Sequence, residues 1–198
     1  AFCAAPTCSP SRTALLTGQS AHGSGMLGLA HRGHQLHDYG RHLIHQLKPR
    51  GFHTVLSGQQ HIANHVGVDK IGYDEVLATH SNSVAHVAPA ADPKRKQQPF
   101  FLACGFFETH VPFPEADDED ARCVKTPDPL PDTSATRRDM ARYHKSVATL
   151  DAGMGRVIAA IDRAGLKDET LVIVTTDHGI PLPEMKCNLT DHGTGVML

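Results

Sequence analysis

Apolar positions along the chain follow two kinds of pattern, one typical of helices and one of strands. Apolar side chains recur at spacings of three and four in residues 36–47 and, over a longer stretch, in residues 137–164, which predicts amphipathic helices. Shorter apolar or β-like runs at residues 53–57, 100–105 and 171–175 predict strands. Because helices and strands alternate, the predicted fold class is α/β, with a mostly parallel sheet sandwiched by helices.

A short helix is predicted near the start of the chain, over residues 11–17. Pro10 suits its first turn, and Gly18 is a natural stop, so Cys8 is expected at the helix N-terminus. Two stretches lack a regular pattern. Residues 85–98 are rich in Ala, Pro and Lys, and residues 112–136 carry prolines and an acidic cluster, which predicts a solvated excursion near the mouth of a site.

Polar side chains follow each of the three predicted strands. Gln59 and His61 come after the first, His110 after the second, and Asp177 with His178 after the third. Ligands of parallel sheets bind beyond the carboxyl ends of the strands. These groups are therefore expected to converge on one edge of the sheet, together with the helix start at Cys8.

Composition narrows the class of protein. The 198 residues suit one domain, and the net charge of -2 argues against a basic nucleic-acid binder. No apolar run is long enough for a membrane span, and the first residues lack the pattern of a signal peptide. The 5 cysteines form no CxxC pair, which disfavours a disulfide framework or a zinc ribbon. The 15 histidines are the outlier and make a catalytic or metal site plausible.

The segment from Cys8 to Arg12, CSPSR, followed by TALLTG, resembles the signature of the formylglycine-dependent sulfatases of the alkaline phosphatase superfamily. The stretch from Tyr143 to Gly179 resembles the late helix, strand and metal loop of the same family. The resemblance implies that a formylglycine-generating or maturase enzyme converts Cys8 to formylglycine, whose hydrate supplies the nucleophile. It also implies that Arg12 holds charge beside it.

The same resemblance assigns the remaining site residues. Asp177 and His178, with the modified Cys8, would ligate Ca²⁺ or another divalent cation. Lys186 would bind the sulfate, His110 would protonate the leaving group, and His61 would act as an acid or base. The family has a lysine where this chain has Gln59, and a neutral amide brings no charge to the substrate. Gln59 is therefore both a candidate substrate-binding residue and a departure from the pattern.

Within the family, CSPSR with TALLTGQ and the segment DHGIPLP look closest to the branch that cleaves the sulfamate of N-sulfoglucosamine. The implied substrate is a sulfated carbohydrate carrying a sulfuric ester or a sulfamate, and the implied location is exported or lysosomal. The family also needs an aspartate pair upstream of the cysteine motif, and its domain continues past Leu198. We therefore expect residues 1–198 to be a partial catalytic domain, incomplete at both ends and inactive alone.

Two alternative functions remain open. A metal-dependent phosphatase or phosphodiesterase of the same superfamily would share the fold, but Cys8 stands where such enzymes usually have Ser or Thr. A non-catalytic homologue that binds sulfated glycans is favoured by Gln59 and by the absent aspartate pair.

Three further patterns are given less weight. Residues 23–28 spell GxGxxG but follow a predicted helix, which disfavours a dinucleotide site. His31, His34 and His37 could ligate zinc, yet no HExxH is present, and a solvated or hydrogen-bonding role is favoured. The segment 191–193, Asp-His-Gly, repeats the letters of the metal loop and is interpreted as a loop.

Overall fold

The computed structural model describes residues 1–77 and 98–198, and this part of the chain contains a small parallel sheet. Its strands are β1, His53–Gly58, β2, Glu75–Val76, and β3, Phe100–Gly105. Their order is β2-β1-β3, and both neighbours run parallel to β1. The α/β class and two of the three predicted strands are thereby confirmed.

Two glycines bring the carboxyl ends of β1 and β3 together. Gly58 has a left-handed φ of 79°, and a Cβ built on it would lie 2.0 Å from the carbonyl oxygen of Gly105. A Cβ on Gly105 would lie 1.8 Å from the carbonyl oxygen of Gln59. Only glycine permits this approach. Both strands consequently end at one point, where the backbone N–H of Gln59 donates to Gly105 O at 2.9 Å.

Six α-helices lie in the described residues. They are α1, Cys8–Thr17, α2, Ala21–Ser24, α3, Ile44–Leu47, α4, Asp118–Arg122, α5, Ser134–Arg163, and α6, Asp191–Thr194. Short 3₁₀ segments occur at Ala30–Arg32, Tyr39–Arg41, Lys48–Arg50, His65–Ile71 and Lys167–Glu169. Helix α1 begins at Cys8 and ends at Gly18, which has a φ of 68°. The two helices predicted around residues 11–17 and 137–164 are confirmed. No helix in the described ranges has the length and apolar character that crossing a membrane requires.

The acidic stretch 112–136 is attached to α5 and is more ordered than the sequence predicted. It contains α4, whose N-terminus Asp117 caps. Asp118 pairs with Arg138 at 3.5 Å and Asp120 with Lys145 at 2.5 Å, so the acidic cluster faces cations of α5. The chain then continues into α5, which opens with a reciprocal cap between Thr133 and Thr136.

The single helix predicted over residues 36–47 is wrong. The segment divides into the 3₁₀ turn Tyr39–Arg41 and α3, and His42 between them has an extended backbone. The reason lies in packing, because Leu36 joins a cluster with Met26 and Ala30, whereas Ile44 joins a different one. That second cluster contains Ile62, Ala63 and Ile71, with Leu16 of α1 and Phe101 of β3 packed against it.

The strand predicted over residues 171–175 is also wrong. The segment has no regular secondary structure, and Leu171 and Ile173 are 84% and 67% exposed. A strand needs a hydrogen-bonding neighbour, and none of the described strands pairs with this run. The irregular stretch predicted at residues 85–98 lies, apart from Gln98, outside the described residues.

Candidate active site

Cys8 is the first residue of α1, at the end of the helix where backbone N–H groups have no helical partner. Its side chain is buried, at 5% exposure. The next residue ties the helix to a neighbouring turn, since Ser9 Oγ accepts a hydrogen bond from Ala30 N at 3.0 Å. The N-terminus of a helix favours anions, so the position suits a nucleophile that attacks an anionic group. All five cysteines are free thiols.

The Asp177-His178 loop contacts α1 through two side chains. Ser11 Oγ donates to the backbone oxygen of Asp177, and Arg12 Nε donates to Asp177 Oδ2 at 2.9 Å. Arg12 Nη1 also donates to the backbone oxygen of Gln59, at 3.4 Å. Arg12 thus joins three segments that are distant in sequence. These are the start of α1, the end of β1 and the loop that carries Asp177 and His178.

A second Asp-His-Gly turn holds the loop from its other side. Gly179 N donates to Gly193 O at 2.8 Å, and a Cβ on Gly179 would lie 1.8 Å from His192 O. Gly193 belongs to α6, so residues 191–193 form a short helix and the predicted loop is wrong. The side chain of Thr190 caps α6 by accepting from Gly193 N, which explains the local helical turn.

Cys8 and His178 form the central contact of the site, with 3.3 Å between Sγ and Nε2. His178 Nδ1 lies 2.7 Å from Gly179 O, and a carbonyl oxygen only accepts, so Nδ1 carries the proton. In a neutral ring Nε2 is then the acceptor, and the Cys8 thiol donates to it. Nε2 also lies 3.6 Å from Asp177 Oδ1.

Burial and charge set the protonation of both loop residues. Burial lowers the pKa of His178, and the charges of Lys186 and Arg12 lower it further against the opposing effect of Asp177. Burial alone would raise the pKa of Asp177, but the charge and the hydrogen bond of the Arg12 guanidinium outweigh it and leave that pKa below its usual value. The site therefore holds a neutral imidazole beside an ionised carboxylate.

His61 lies at the same edge of the sheet and contacts another histidine. Its Nε2 is 2.8 Å from His31 Nδ1, and the two rings stack with centroids 5.0 Å apart. Burial lowers the pKa of His61 to about 4, helped by the nearby charges of Arg12 and His31. Its backbone has a φ of 56°, in the left-handed region that few non-glycine residues occupy.

Gln59, Lys186 and His110 lie around this centre without a direct bond to Cys8. The backbone of Gln59 bonds to Gly105 and Arg12, and its half-buried side-chain amide makes no hydrogen bond within the described residues. The ammonium of half-buried Lys186 forms no ion pair with any described carboxylate, and its charge reaches His178. His110 is exposed, and its Nδ1 donates to Val111 O at 2.7 Å.

A divalent cation fits this centre as far as the described donors go. Cys8 Sγ, His178 Nε2 and a carboxylate oxygen of Asp177 all lie within 4.8 Å of one another. Gly179 O accepts a hydrogen bond from His178 Nδ1, and Arg12 Nε donates one to Asp177 Oδ2. These bonds orient the other ligand atoms, His178 Nε2 and Asp177 Oδ1, in the way that hydrogen bonds around metal ligands do. The group contributes one carboxylate, whereas Ca²⁺ takes about six to eight oxygen ligands. The set can therefore be part of a calcium shell.

Two residues of the site were not predicted from the sequence. Ser11 carries the bond to Asp177, and His31 carries the bond to His61. Ser11 lies inside the CSPSR segment, which was a usable signal. His31 belongs to a histidine run for which hydrogen bonding was favoured over zinc, but no local pattern indicates its partner.

A parallel α/β sheet, a buried cysteine at a helix start and an adjacent Arg-Asp-His group are an arrangement that suits a hydrolase acting on an anionic group. A family model described as Sulfatase matches residues 1–196, so the chain belongs to the sulfatase family. The membership expected from the CSPSR segment is confirmed.

One curated relative agrees with this membership, and two solved structures share the fold. Human N-sulphoglucosamine sulphohydrolase is 30% identical, over 98% of this chain and 45% of its own length. The putative sulfatase yidJ from Bacteroides fragilis has a similar fold, with a TM-score of 0.72, 21% identity, and coverage of 91% of this chain and 53% of its own. Ps i-CgsB, solved in complex with k-i-k-neocarrahexaose, matches with a TM-score of 0.67, 20% identity, and coverage of 98% and 55%. The chain thus spans about half the length of these relatives.

Proposed function

We propose that the full-length protein is a sulfatase that hydrolyses a sulfuric ester or a sulfamate of a sulfated sugar. The observation that supports this most directly is the 3.3 Å contact between Cys8 and His178, which are 170 positions apart in the sequence. In this contact the cysteine of the CSPSR segment meets the loop of Asp177 and His178, to which the resemblance assigns metal binding. Arg12 pairs with Asp177 in the same place.

The nucleophile in this proposal is formed from Cys8. A maturase with its own two-electron oxidant would break the Cβ–S bond, release the sulfur as sulfide and leave a carbonyl on Cβ. The hydrated aldehyde would then present an oxygen at the N-terminus of α1. Asp177 and His178 would hold a divalent cation beside it, which would stabilise negative charge on oxygen. Because Arg12 donates a hydrogen bond to Asp177 Oδ2, the carboxylate would keep one orientation while it ligates the cation.

The remaining residues bind the sulfate and move protons. Lys186, whose charge reaches His178, forms no ion pair with a described carboxylate, so its charge is available to an anionic substrate. His61 is neutral near pH 7 and can accept a proton. His110 is exposed beyond the end of β3 and can donate one to the leaving oxygen or nitrogen. Gln59 offers hydrogen bonds without charge.

The substrate class is taken from the relatives. The 30% identity to human N-sulphoglucosamine sulphohydrolase favours an N-sulfoglucosamine-type sugar, as in glycosaminoglycan degradation. Ps i-CgsB in complex with k-i-k-neocarrahexaose supports a carbohydrate more generally. An exported or lysosomal location follows from the same proposal.

Mass spectrometry and mutation of Cys8 together test the proposal. Natively expressed full-length protein should contain a Cys8 peptide lighter by about 18 Da, the difference between a thiol and an aldehyde side chain. Cys8→Ala should abolish sulfate release while leaving the melting temperature near that of the parent. Cys123→Ala, at an exposed cysteine after α4, is the matched control and should retain full activity. Turnover by Cys8→Ala above a hundredth of the parent would refute the assignment.

One observation favours a second function, binding of sulfated glycans without turnover. Gln59 leaves Arg12 and Lys186 as the cations near Cys8, and Arg12 is already paired with Asp177. In that case the Cys8 peptide would keep its thiol mass, and Cys8→Ala would bind a sulfated oligosaccharide as tightly as the parent. A phosphatase or phosphodiesterase would instead release phosphate from an aryl ester in preference to sulfate.

A further inference from the structure

The contact between His31 and His61 has no place in the reaction proposed above. His31 Nδ1 and His61 Nε2 are 2.8 Å apart, and the ring planes are within 14° of parallel. One nitrogen must therefore donate to the other, and the stacked rings cannot rotate independently. The bond is a side-chain contact between two loops that approach the sheet edge from different parts of the chain.

The backbone under His31 is held by the helix that carries Cys8. His31 lies in the 3₁₀ turn Ala30–Arg32, and Ala30 N donates to Ser9 Oγ, next to Cys8. Ala30 is 2% exposed and packs with Met26 and Leu36. A well-anchored turn thus presents an exposed imidazole to His61.

The backbone of His61 is itself constrained. Its left-handed φ of 56° is unfavourable for a non-glycine residue, and such positions persist where the surroundings enforce them. Gln60 enforces this one, because its Oε1 accepts from Ile62 N and Ala63 N and its Nε2 donates to Ala63 O. Cα of His61 is fixed in this way, but the rotation of its ring is left to side-chain partners.

We propose that His31 is a positioning residue that fixes the rotation and the tautomer of the His61 ring. A neutral imidazole has one donor and one acceptor nitrogen, and the hydrogen bond to His31 gives Nε2 of His61 one of these roles and leaves the other to its Nδ1. In sulfate transfer a proton-accepting ring serves only when its free lone pair faces the reacting group. The expected effect of His31 on the rate of sulfate release rests on the proposed function, whereas its effect on the His61 ring does not.

The kinetic test uses the full-length protein and a small aryl sulfate. His31→Phe keeps a flat ring beside His61 and removes the nitrogen, so kcat should fall about tenfold with KM within about twofold. His31→Asn places an amide near the position of Nδ1 and should recover kcat to within about threefold of the parent. In a His61→Ala background, His31→Phe should cause no further loss, because its effect passes through His61.

His22→Phe is the matched control, since His22 is an exposed histidine of α2 with no hydrogen bond to the described site residues, and it should leave kcat unchanged. The proposal is overturned if His31→Phe is as active as the parent, if His31→Asn is as impaired as His31→Phe, or if the loss persists without His61. Should His31→Phe fail to fold, His31→Ala replaces it in the same cycle.

An NMR measurement separates this inference from the proposed function. In ¹⁵N-histidine-labelled protein, the two ring nitrogens of His61 should show one tautomer in the parent and in His31→Asn, and a mixture in His31→Phe. A parent that releases no sulfate would refute the proposed function, and the ring spectra would still decide the role of His31. Identical His61 spectra in the parent and His31→Phe would refute the positioning role.

Discussion

Arg12 connects more of the site than any other described side chain. It donates to the carboxylate of Asp177 and to the backbone oxygen of Gln59, so one guanidinium joins α1, the end of β1 and the late loop. The carboxylate neutralises much of its charge. Binding of a sulfate group therefore depends on how much positive charge the neighbouring positions add, and Gln59 adds none.

Substituting Gln59 by lysine tests that dependence. The backbone of Gln59 makes the bonds to Gly105 and Arg12, and these survive a change of side chain. A charge-assisted hydrogen bond exceeds a neutral one by about 1 kcal/mol, so Gln59→Lys should preserve kcat/KM for a small aryl sulfate or raise it several-fold. Steady-state kinetics on the full-length protein, with an aryl sulfate and the sulfated sugar in parallel, give the measurement.

Gln46→Lys, which adds the same charge at an exposed position of α3, should leave both rates unchanged. If lysine lowers turnover of the sugar tenfold or more and leaves turnover of the aryl sulfate unchanged, the amide of Gln59 hydrogen-bonds to a group of the sugar substrate. A collapse of both activities would mean that position 59 does not face the sulfate.

The donor atoms at the metal centre lead to a prediction about affinity. Among the described residues, this centre offers one carboxylate, one imidazole and one thiol, which are too few oxygen donors for calcium. Ca²⁺ should therefore bind to residues 1–198 more weakly than micromolar. The same nitrogen and sulfur donors suit Zn²⁺, which should bind more tightly than Ca²⁺ while Cys8 remains a thiol. Calorimetric titration with each ion, repeated on Asp177→Asn, checks both statements, and micromolar or tighter calcium binding would contradict the first.

At the scale of elements, the two Asp-His-Gly turns act as one support. Gly179 and Gly193 meet backbone to backbone, and a Cβ on Gly193 would lie 2.1 Å from Asn188 O and 2.4 Å from Met185 O. Ile180 and Leu182, just after the first turn, pack with Met140 and Ala141 of α5. The loop that carries Asp177 and His178 is therefore held by α6 on one side and by the longest helix on the other.

A methyl group at Gly179 should disturb this support. Because the Cβ would meet a backbone oxygen at 1.8 Å, Gly179→Ala forces the two turns apart and should lower the free energy of unfolding by about 1–3 kcal/mol. Gly155→Ala is the matched control. Its Cβ meets nothing within 4 Å and it lies within α5, so it should raise that free energy by about 0.5–1 kcal/mol. Urea denaturation of both variants measures the difference, and equal midpoints would show that the turns are not tightly docked.

The sequence predicted the elements whose pattern is local. Helix α5 has a continuous apolar stripe, β1 and β3 are short runs with breakers at their ends, and α1 has Pro10 and Gly18 at its limits. Residues 171–175 have the composition of a strand, but no described strand pairs with them. Residues 36–47 have helical spacing, but their apolar side chains are divided between two clusters. Pairing and packing depend on distant residues, which a local pattern does not contain.

The same limit applies to the site. The sequence predicted that Cys8, Arg12, Asp177 and His178 belong together because each lies in a family-like segment, and the structure places them in contact. The bond between His31 and His61 and the docking of Gly179 on Gly193 could not be predicted, since each joins loops whose approach is set by the whole fold.

At the scale of the whole molecule, buried histidines couple stability to pH. His42 is fully buried against Tyr73, and burial lowers its pKa to about 4. An unfolded chain protonates the same ring near pH 6.5, so acid favours the unfolded state. The stabilisation is complete above about pH 6.5 and is lost as the pH falls toward 4.

His42 should therefore account for about 3 kcal/mol of the free energy of unfolding between pH 6.5 and pH 4. His42→Gln removes the titration of this ring and should reduce the dependence of the denaturation midpoint on pH over that interval, while His61 keeps its own share. His22→Gln, at an exposed position, should leave the dependence as in the parent. If His42→Gln keeps the slope of the parent, His42 is not the group responsible.

The closure of Cys8 by His178 also has a consequence for the order of events during synthesis. Cys8 is buried by a residue 170 positions later in the chain. Under the proposed function, a modifying enzyme would have to take the Cys8 segment into its own catalytic cleft, and the contact with His178 would obstruct this. At ribosomal rates of about 5–20 residues per second, those later residues take roughly 10–30 s to be made. Oxidation of Cys8 would then fall in that interval, and faster translation or slower delivery to the modifying enzyme would lower the fraction of chains that mature.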